Sequence, residues 1–505
     1  MPVILAVDQG SSSSRCVVLD SELTPVAIAS RPLASAFPAP GRVEHDAGEI
    51  VRTVVGAIGD ALAQAGADWS DVAGIGLAAQ TETFVVWDRR TGHPVYPAIS
   101  WRDARGSRMC EQLRADGHET DVRSRTGLPL QPAFSASKLR WLLDELPGVR
   151  QAATSGALAF GDVNCWLVWQ LSGGAVHVTE PSMAARTMLF DLGAGAWDPA
   201  MLDLFGIPAQ MLPEVVPSAG QLASTDAGAC GGRARISASV GDQQAALFGQ
   251  RCWQPGMAKL TLGTGAFLWC HAGGSPPAVP PAGVVSTCAW QLGSDRAYAL
   301  EGFVPNAGGV TTWLRRLGVL DPRAWPQIRA GALTKTDGPW CVPALFGLGT
   351  PAWTPLAHAE IGGLTANSTG QDVAEAALIG VVHQVVDAIE AVRHGLAGPL
   401  GLVRVDGGLA SNDSVLQAIA DLSGLALERP AATEITALGA GALAGLGAGC
   451  FDLAALARVP FESGRTVHPA LPADVVKRAR SGWQSVLAES AARWAGAARS
   501  DQGEP

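Results

Sequence analysis

No two cysteines in this sequence are spaced for a metal or disulfide framework. The nine cysteines run from Cys16 to Cys450 without a CxxC pair, and no His/Cys spacing suits zinc. That pattern fits reduced, buried thiols in a cytoplasmic protein. No basic stretch precedes the short apolar run of MPVILAVDQG, so the N-terminus does not read as a secretion signal. No stretch reads as a membrane span either. The closest, Ile435 to Cys450, is short and crowded with glycine, and reads as a tightly packed interior helix. Positive charge is also scarce: the formal net charge is −10, which argues against a nucleic-acid partner. An anionic nucleotide stays admissible, because backbone N–H groups hold phosphates without lysine.

What is present is an ordinary globular mixture, with 48% hydrophobic and 16% charged residues, leaving no room for extensive disorder. A chain of 505 residues is too long for one compact core, so two large domains are expected. Val3 to Val7 reads as a buried strand ending at Asp8; Gly10 and the serines follow, and Cys16 to Leu19 is apolar again. The same strand-turn-strand layout returns at Ala258 to Leu262, Gly263-Thr264-Gly265 and Phe267 to Cys270. Two such turns, about 250 residues apart, point to two related halves. The boundary is expected at 248/249, with Gly249 to Gly256 as the hinge.

Between these turns, Asp46 and Glu49 announce a helix in which Ile50, Val54, Ile58 and Leu62 recur at helical spacing. Val72 to Leu77 and Phe84 to Trp87 read as paired strands flanking Gln80-Thr81-Glu82. Val373 to Val392 carries the period of a long helix, and Leu402 to Val405 reads as a buried strand leading into Asp406-Gly407-Gly408. The last helix is expected to end near Ala497, with a frayed tail from Ser500 to Pro505.

Four segments have the composition for chemistry. In LAVDQGSSSSR a small-residue turn offers N–H groups and hydroxyls to a phosphate, and Asp8 is placed to hold magnesium through water. It is neither a Walker A loop nor a dinucleotide fingerprint, since no Gly-Lys-Ser/Thr follows and the next element is a strand. In VGDQQAALFG, Asp242 is either a base toward a hydroxyl, with Gln243 orienting that hydroxyl, or a helix cap. LTLGTGAF is either a close approach to an anion or a plain hairpin. RVDGGLASND either accepts an adenosine or is an ordinary strand-to-helix turn capped near Ser411 or Asn412.

The order of these segments resembles the FGGY carbohydrate kinases, and within them the glycerol kinases, over nearly the whole chain. The likeness also runs through GRVEHDAGEI, AAQTETFVVWDRRTGHPVYPAISWRDAR, GDVNCWLVWQLSGGAVHVTEPSMAARTMLFDL, ALEGFV and LFGLGTPAWTP. The resemblance implies an α/β, actin-like ATPase fold: two ribonuclease-H-like domains closing on a cleft. Residues 1–248 would bind the acceptor and residues 249–505 would bind ATP. It implies Asp242 as general base, Asp8 and Asp242 facing Mg2+, and Ser11 and Ser12 approaching the transferring phosphoryl group, with Ser13 and Arg15 in the same turn. Thr264 and Gly265 would hold terminal phosphates, with Gly308, Gly408 and Asn412 near the rest of the nucleotide.

The acceptor residues Glu82, Trp101, Gln243 and Phe267 match the glycerol kinase pattern, whereas Thr81 stands where an arginine is usual and Ala133 where a tyrosine is usual. A threonine cannot reproduce the planar donor fork of a guanidinium. The acceptor is therefore expected to be a polyol or sugar of four to six carbons. The alternative is a glycerol site restored by repacking of Arg102 or Phe134. A reading from another class, a nucleotide-gated sensor, is disfavoured by the presence of Asp8, Asp242 and Gln243 together. Neither nucleic acid nor membrane is expected as a partner, and association with copies of the same chain stays open.

Overall fold

The structure is a computed structural model describing residues 2–277, 280–321, 326–334, 338–354, 357–461 and 463–500. The first strand-turn-strand is β1 (Val3–Gln9) and β2 (Ser13–Leu19), antiparallel with Val7 opposite Cys16. The Gly10 N–H donates to the Ser13 carbonyl at 2.9 Å and closes the turn. β3 (Pro25–Pro32) adds antiparallel to β2. Helix α1 (Ala47–Ala65) starts where the Asp46 side chain accepts from the Glu49 N–H, and buries Ile50, Val54, Ile58 and Leu62. β4 (Val72–Ala79) runs parallel to β1, β5 (Arg235–Gly241) runs parallel to β4, and α2 (Asp242–Gly249) follows at once.

The second half repeats this winding. β6 (Ala258–Leu262), β7 (Ala266–Gly273) and β8 (Asp295–Val304) form the antiparallel set. Helix α3 (Gly370–Gly395), capped by Thr369, leads to β9 (Val403–Asp406), which is parallel to β6. Helix α4 (Asp413–Ser423) leads to β10 (Leu427–Pro430), parallel to β9. Each half thus places its first strand between an antiparallel meander on one side and two parallel strands on the other, the ribonuclease-H-like arrangement, and the two-related-halves expectation holds. The halves join in one 13-stranded sheet. At the junction the strands Ala219–Ser224 and Val285–Leu292 are paired only through Ala219 and Leu292.

One pairing differs from expectation. Phe84–Asp88 does not pair with β4; it pairs with Leu158–Asp162 in a separate four-stranded sheet. The reason lies in the segment between them. Glu82 adopts φ +62°, and the Thr83 hydroxyl donates to Gln80 Oε1 at 2.9 Å, so the chain turns out of the main sheet instead of folding back on it.

Helix α5 (Ile435–Ala448) is the glycine-rich segment, and it is an interior helix as expected. It covers the face of β1, β4 and β5, where Ile4, Ala6, Ala78 and Val240 share one apolar cluster with Ala440 and Leu443. Approach is so close that a Cβ on Gly76 would meet the Ala440 carbonyl oxygen at 2.1 Å, and one on Gly439 would meet that of Ala245 at 1.8 Å. Only glycine fits there.

Among the described residues no helix is long and apolar enough to cross a membrane. The cysteines are free thiols, all buried except Cys450. The last helix spans Ala473–Ser500, past the expected end at Ala497, and residues 501–505 of the expected tail lie outside the described residues.

Candidate active site

A cavity of about 520 Å³ opens where the first turns of both halves meet. Ser11 reaches it from the turn after β1, and Thr264 and Gly265 from the turn after β6. Asp242, the first residue of α2, and Gln243 line it too. So do Thr81, Glu82, Trp101, Ala133 and Phe267, which brings together all six expected acceptor residues.

Glu82 is held from two sides. Its Oε2 accepts from the Thr81 hydroxyl at 2.6 Å and its Oε1 from Arg186 Nε at 2.6 Å. Arg186 then reaches Glu301 on β8, with Nη1 to Oε2 at 2.8 Å. Both atoms are buried and turned to each other. The guanidinium lies 5.3 Å from the ring centres of both Phe134 and Trp269, a cation–π position on each. Burial pushes the Glu301 carboxyl up, against the pull of Arg186.

The carboxylates nearer the turns are perturbed as well. Burial, then the neighbouring Asp8 charge, raises Asp242 from 3.8 to about 7, while Lys259 pulls it down. Asp8 is raised to about 6 by burial, with Arg15 opposing. A carboxylate at the cavity whose pKa is raised by the charge of a neighbouring one suits a divalent cation, and a pair is enough for Mg2+, which keeps several waters. Among the described residues no cluster of three or more ligating side chains encloses an ion. Lys259, buried in β6, donates to Gln243 Oε1 at 2.6 Å and to the Thr261 hydroxyl at 3.1 Å. A lysine ammonium only donates, so the Gln243 oxygen is committed and its NH2 is the end left for the cavity.

The expected nucleotide residues are more dispersed. Gly308 packs on the Thr264 turn: its N–H donates to the Gly263 carbonyl at 2.9 Å, and a Cβ there would meet that oxygen at 2.6 Å. Gly408 has open space around it, beside Gly407 at φ +93°. Asn412 is committed to structure, its Oδ1 capping α4 and its Nδ2 donating to the Pro326 carbonyl at 2.7 Å. Ser12 is exposed, Ser13 begins β2, and Arg15 pairs with Glu434 at 2.5 Å. None of these six lines the cavity.

Sequence reasoning missed Arg186, Glu301, Lys259 and Trp269. Arg186, Glu301 and Lys259 lie in segments that carry the family likeness (MAARTMLF, ALEGFV and GMAKLTLGTGAF) and Trp269 lies two residues past the last of them, but nothing local singles any of them out. Of the two residues expected to repack, Phe134 lines the cavity, whereas Arg102 donates to the Ser35 hydroxyl at 2.9 Å and does not line it.

Residues 3–249 match the N-terminal domain of the FGGY family of carbohydrate kinases, and residues 258–448 match its C-terminal domain. A glycerol kinase of Citrifermentans bemidjiense is 45% identical over 96% of this chain and 98% of its own length. One from Halorhodospira halophila is 43% identical, over 96% of both. Among solved structures, a Plasmodium falciparum glycerol kinase with ADP superposes with a TM-score of 0.89 at 28% identity, covering 97% of this chain and 98% of that one. A xylulose kinase from Rhodospirillum rubrum, 21% identical with a TM-score of 0.84 over 97% and 99% of the two chains, shares the fold. The chain belongs to the FGGY family of carbohydrate kinases and is an ATP-dependent phosphotransferase acting on a hydroxyl of a polyol or sugar.

Proposed function

We propose that the acceptor is a polyol or sugar of four to six carbons, and that Asp242 takes the proton from the hydroxyl it presents. The observation that carries the acceptor reading is the alanine at 133 in a cavity of about 520 Å³, where the side chain ends at Cβ and Phe134, Val285 and Trp353 line the same space. Phe267 and Phe303, with ring centres 4.9 Å apart, and Trp353, 6.3 Å from Phe303, form an apolar wall for a carbon chain.

In this reading Gln243 donates its NH2 to the attacking oxygen, and Asp242 accepts the departing proton. A carboxylate suffices because phosphoryl transfer passes through a loose transition state, so the proton leaves late and alignment matters more than basicity. Asp8 and Asp242 would hold Mg2+, which supplies the positive charge that neutralises the phosphates. Ser11 and the Thr264–Gly265 turn would cradle the transferring end of ATP, with Gly308, Gly408 and the region capped by Asn412 beyond it. Residues 249–256 would serve as the hinge between an acceptor half, 1–248, and a nucleotide half, 249–505, whose closure excludes water.

A three-carbon acceptor is the second reading. It is favoured by the 45% identical relative, a glycerol kinase, and by Arg186, which brings a guanidinium to the cavity from another part of the chain. Acceptor-dependent ADP release across a panel from glycerol to hexitols and ketoses separates the two. A kcat/KM at least tenfold higher for a longer acceptor supports the first, and a wide preference for glycerol rejects it.

A further inference from the structure

We infer that Arg186, clamped between Glu82 and Glu301, is the specificity residue that reads the hydroxyls of the acceptor away from the reacting one, and that this clamp admits only uncharged acceptors. The inference rests on the acceptor reading above and deepens it.

Three observations converge. First, Arg186 is contributed by the first half and Glu301 by β8 of the second, so the bridge from Glu82 through Arg186 to Glu301 spans both sides of the cavity they all line. Second, the paired groups still face the cavity. Arg186 Nη1 and Glu301 Oε2 are buried against each other at 2.8 Å, and the rest of each charged group, 6% and 10% exposed, lines the cavity. A diol offers both groups a further partner: an oxygen to accept from the guanidinium and an O–H to donate to the carboxylate. Third, the guanidinium cannot swing away to meet a different partner, since Phe134 and Trp269 hold its faces and Nε is bound to Glu82 at 2.6 Å.

The charge selection follows from the same geometry. At the clamp, Glu82 and Glu301 set two carboxylates against the one guanidinium of Arg186, which is already paired with both. An acceptor carrying its own carboxylate would find no free cation and would face like charge in a desolvated space. A neutral polyol meets no such barrier.

The test uses purified full-length enzyme with MgATP, neutral pentitols, hexitols and ketoses, and D-gluconate as an anionic probe of similar length. Arg186→Lys, Arg186→Gln and Glu301→Gln are compared with the parent. In the parent, gluconate should be at least 10²-fold poorer in kcat/KM than the best neutral acceptor. Glu301→Gln keeps the shape but removes a negative charge, and should narrow that gap at least tenfold. Both Arg186 variants should raise the acceptor KM at least tenfold while the ATP KM stays within about threefold, a split that general misfolding would not produce. If Arg186→Gln does not fold, the Glu301→Gln gap decides alone. A gluconate preference in the parent, an unchanged gap in Glu301→Gln, or parallel losses in both KM values would overturn the inference while leaving the kinase reading intact. Absence of acceptor-dependent turnover with every compound would instead strike the acceptor reading itself.

Discussion

Lys259 Nζ lies 2.6 Å from Oε1 of Gln243, across the turn from the first half to the second. The contact ties the orientation of an acceptor-facing amide to a buried cation on the opposite strand system. Lys259 also lowers the pKa of Asp242. Lys259→Met should therefore do two things: raise the acceptor KM about tenfold, as the Gln243 amide loses its anchor, and move the acidic limb of the kcat/KM profile to higher pH. A pH–rate series on both proteins checks this, and a limb moving to lower pH would contradict it.

Asp242→Asn removes the proton acceptor while keeping size and hydrogen bonding. Acceptor-dependent ADP release should fall by about 10²–10⁴-fold, the usual worth of a positioned base. Nucleotide binding, followed by calorimetry, should persist. Retention of more than a tenth of parental turnover would place the base elsewhere.

The raised carboxyls also predict how stability depends on pH. Asp242 titrates at about 7 and Asp8 at about 6 in the folded chain, against 3.8 for the free group. Between about pH 4 and pH 7 the folded state thus holds protons that the unfolded state has released, so stability falls as pH rises through that window. In metal-free, nucleotide-free protein, the melting temperature of Asp242→Asn should gain on that of the parent steadily from acid toward neutral pH. Parallel curves would show that Asp242 does not titrate there.

Gly439→Ala would drive a methyl group to within 1.8 Å of the Ala245 carbonyl oxygen. The helix α5 must then lift from α2, at a cost of about 1–3 kcal/mol by overpacking. Denaturant midpoints measure it, and a neutral outcome would mean that the two helices separate freely.

Closure about residues 249–256 should appear in solution scattering as a smaller radius of gyration with nucleotide and acceptor together. In this segment Gly256 (φ +84°) and Arg251 (φ +52°) hold left-handed backbone. Identical profiles with and without substrates would reject the hinge.

Much of this molecule was legible because its signals are local. Apolar runs broken by Gly10 or by Gly263-Thr264-Gly265 specify strand-turn-strand units, and Asp46 with Glu49 marks a helix start. The destination of Phe84–Asp88 was not legible, because it depends on the left-handed Glu82 and on a partner strand beginning at Leu158. The same limit explains the pocket. Thr81 and Ala133 could be recognised as departures by position, but Arg186 meets Glu82 only through tertiary folding, from 104 positions further along the chain. Long-range ion pairs leave no periodicity to read.

Helix α5 has an outcome for synthesis as well as for shape. The apolar face of β1, β4 and β5, strands of the first half, is shielded by residues 435–448, which are synthesised after all three. A nascent chain released or stalled before that point carries a sticky, uncovered sheet, so chaperone demand should be concentrated on the unfinished polypeptide and any split of the gene at the hinge should yield an insoluble front fragment.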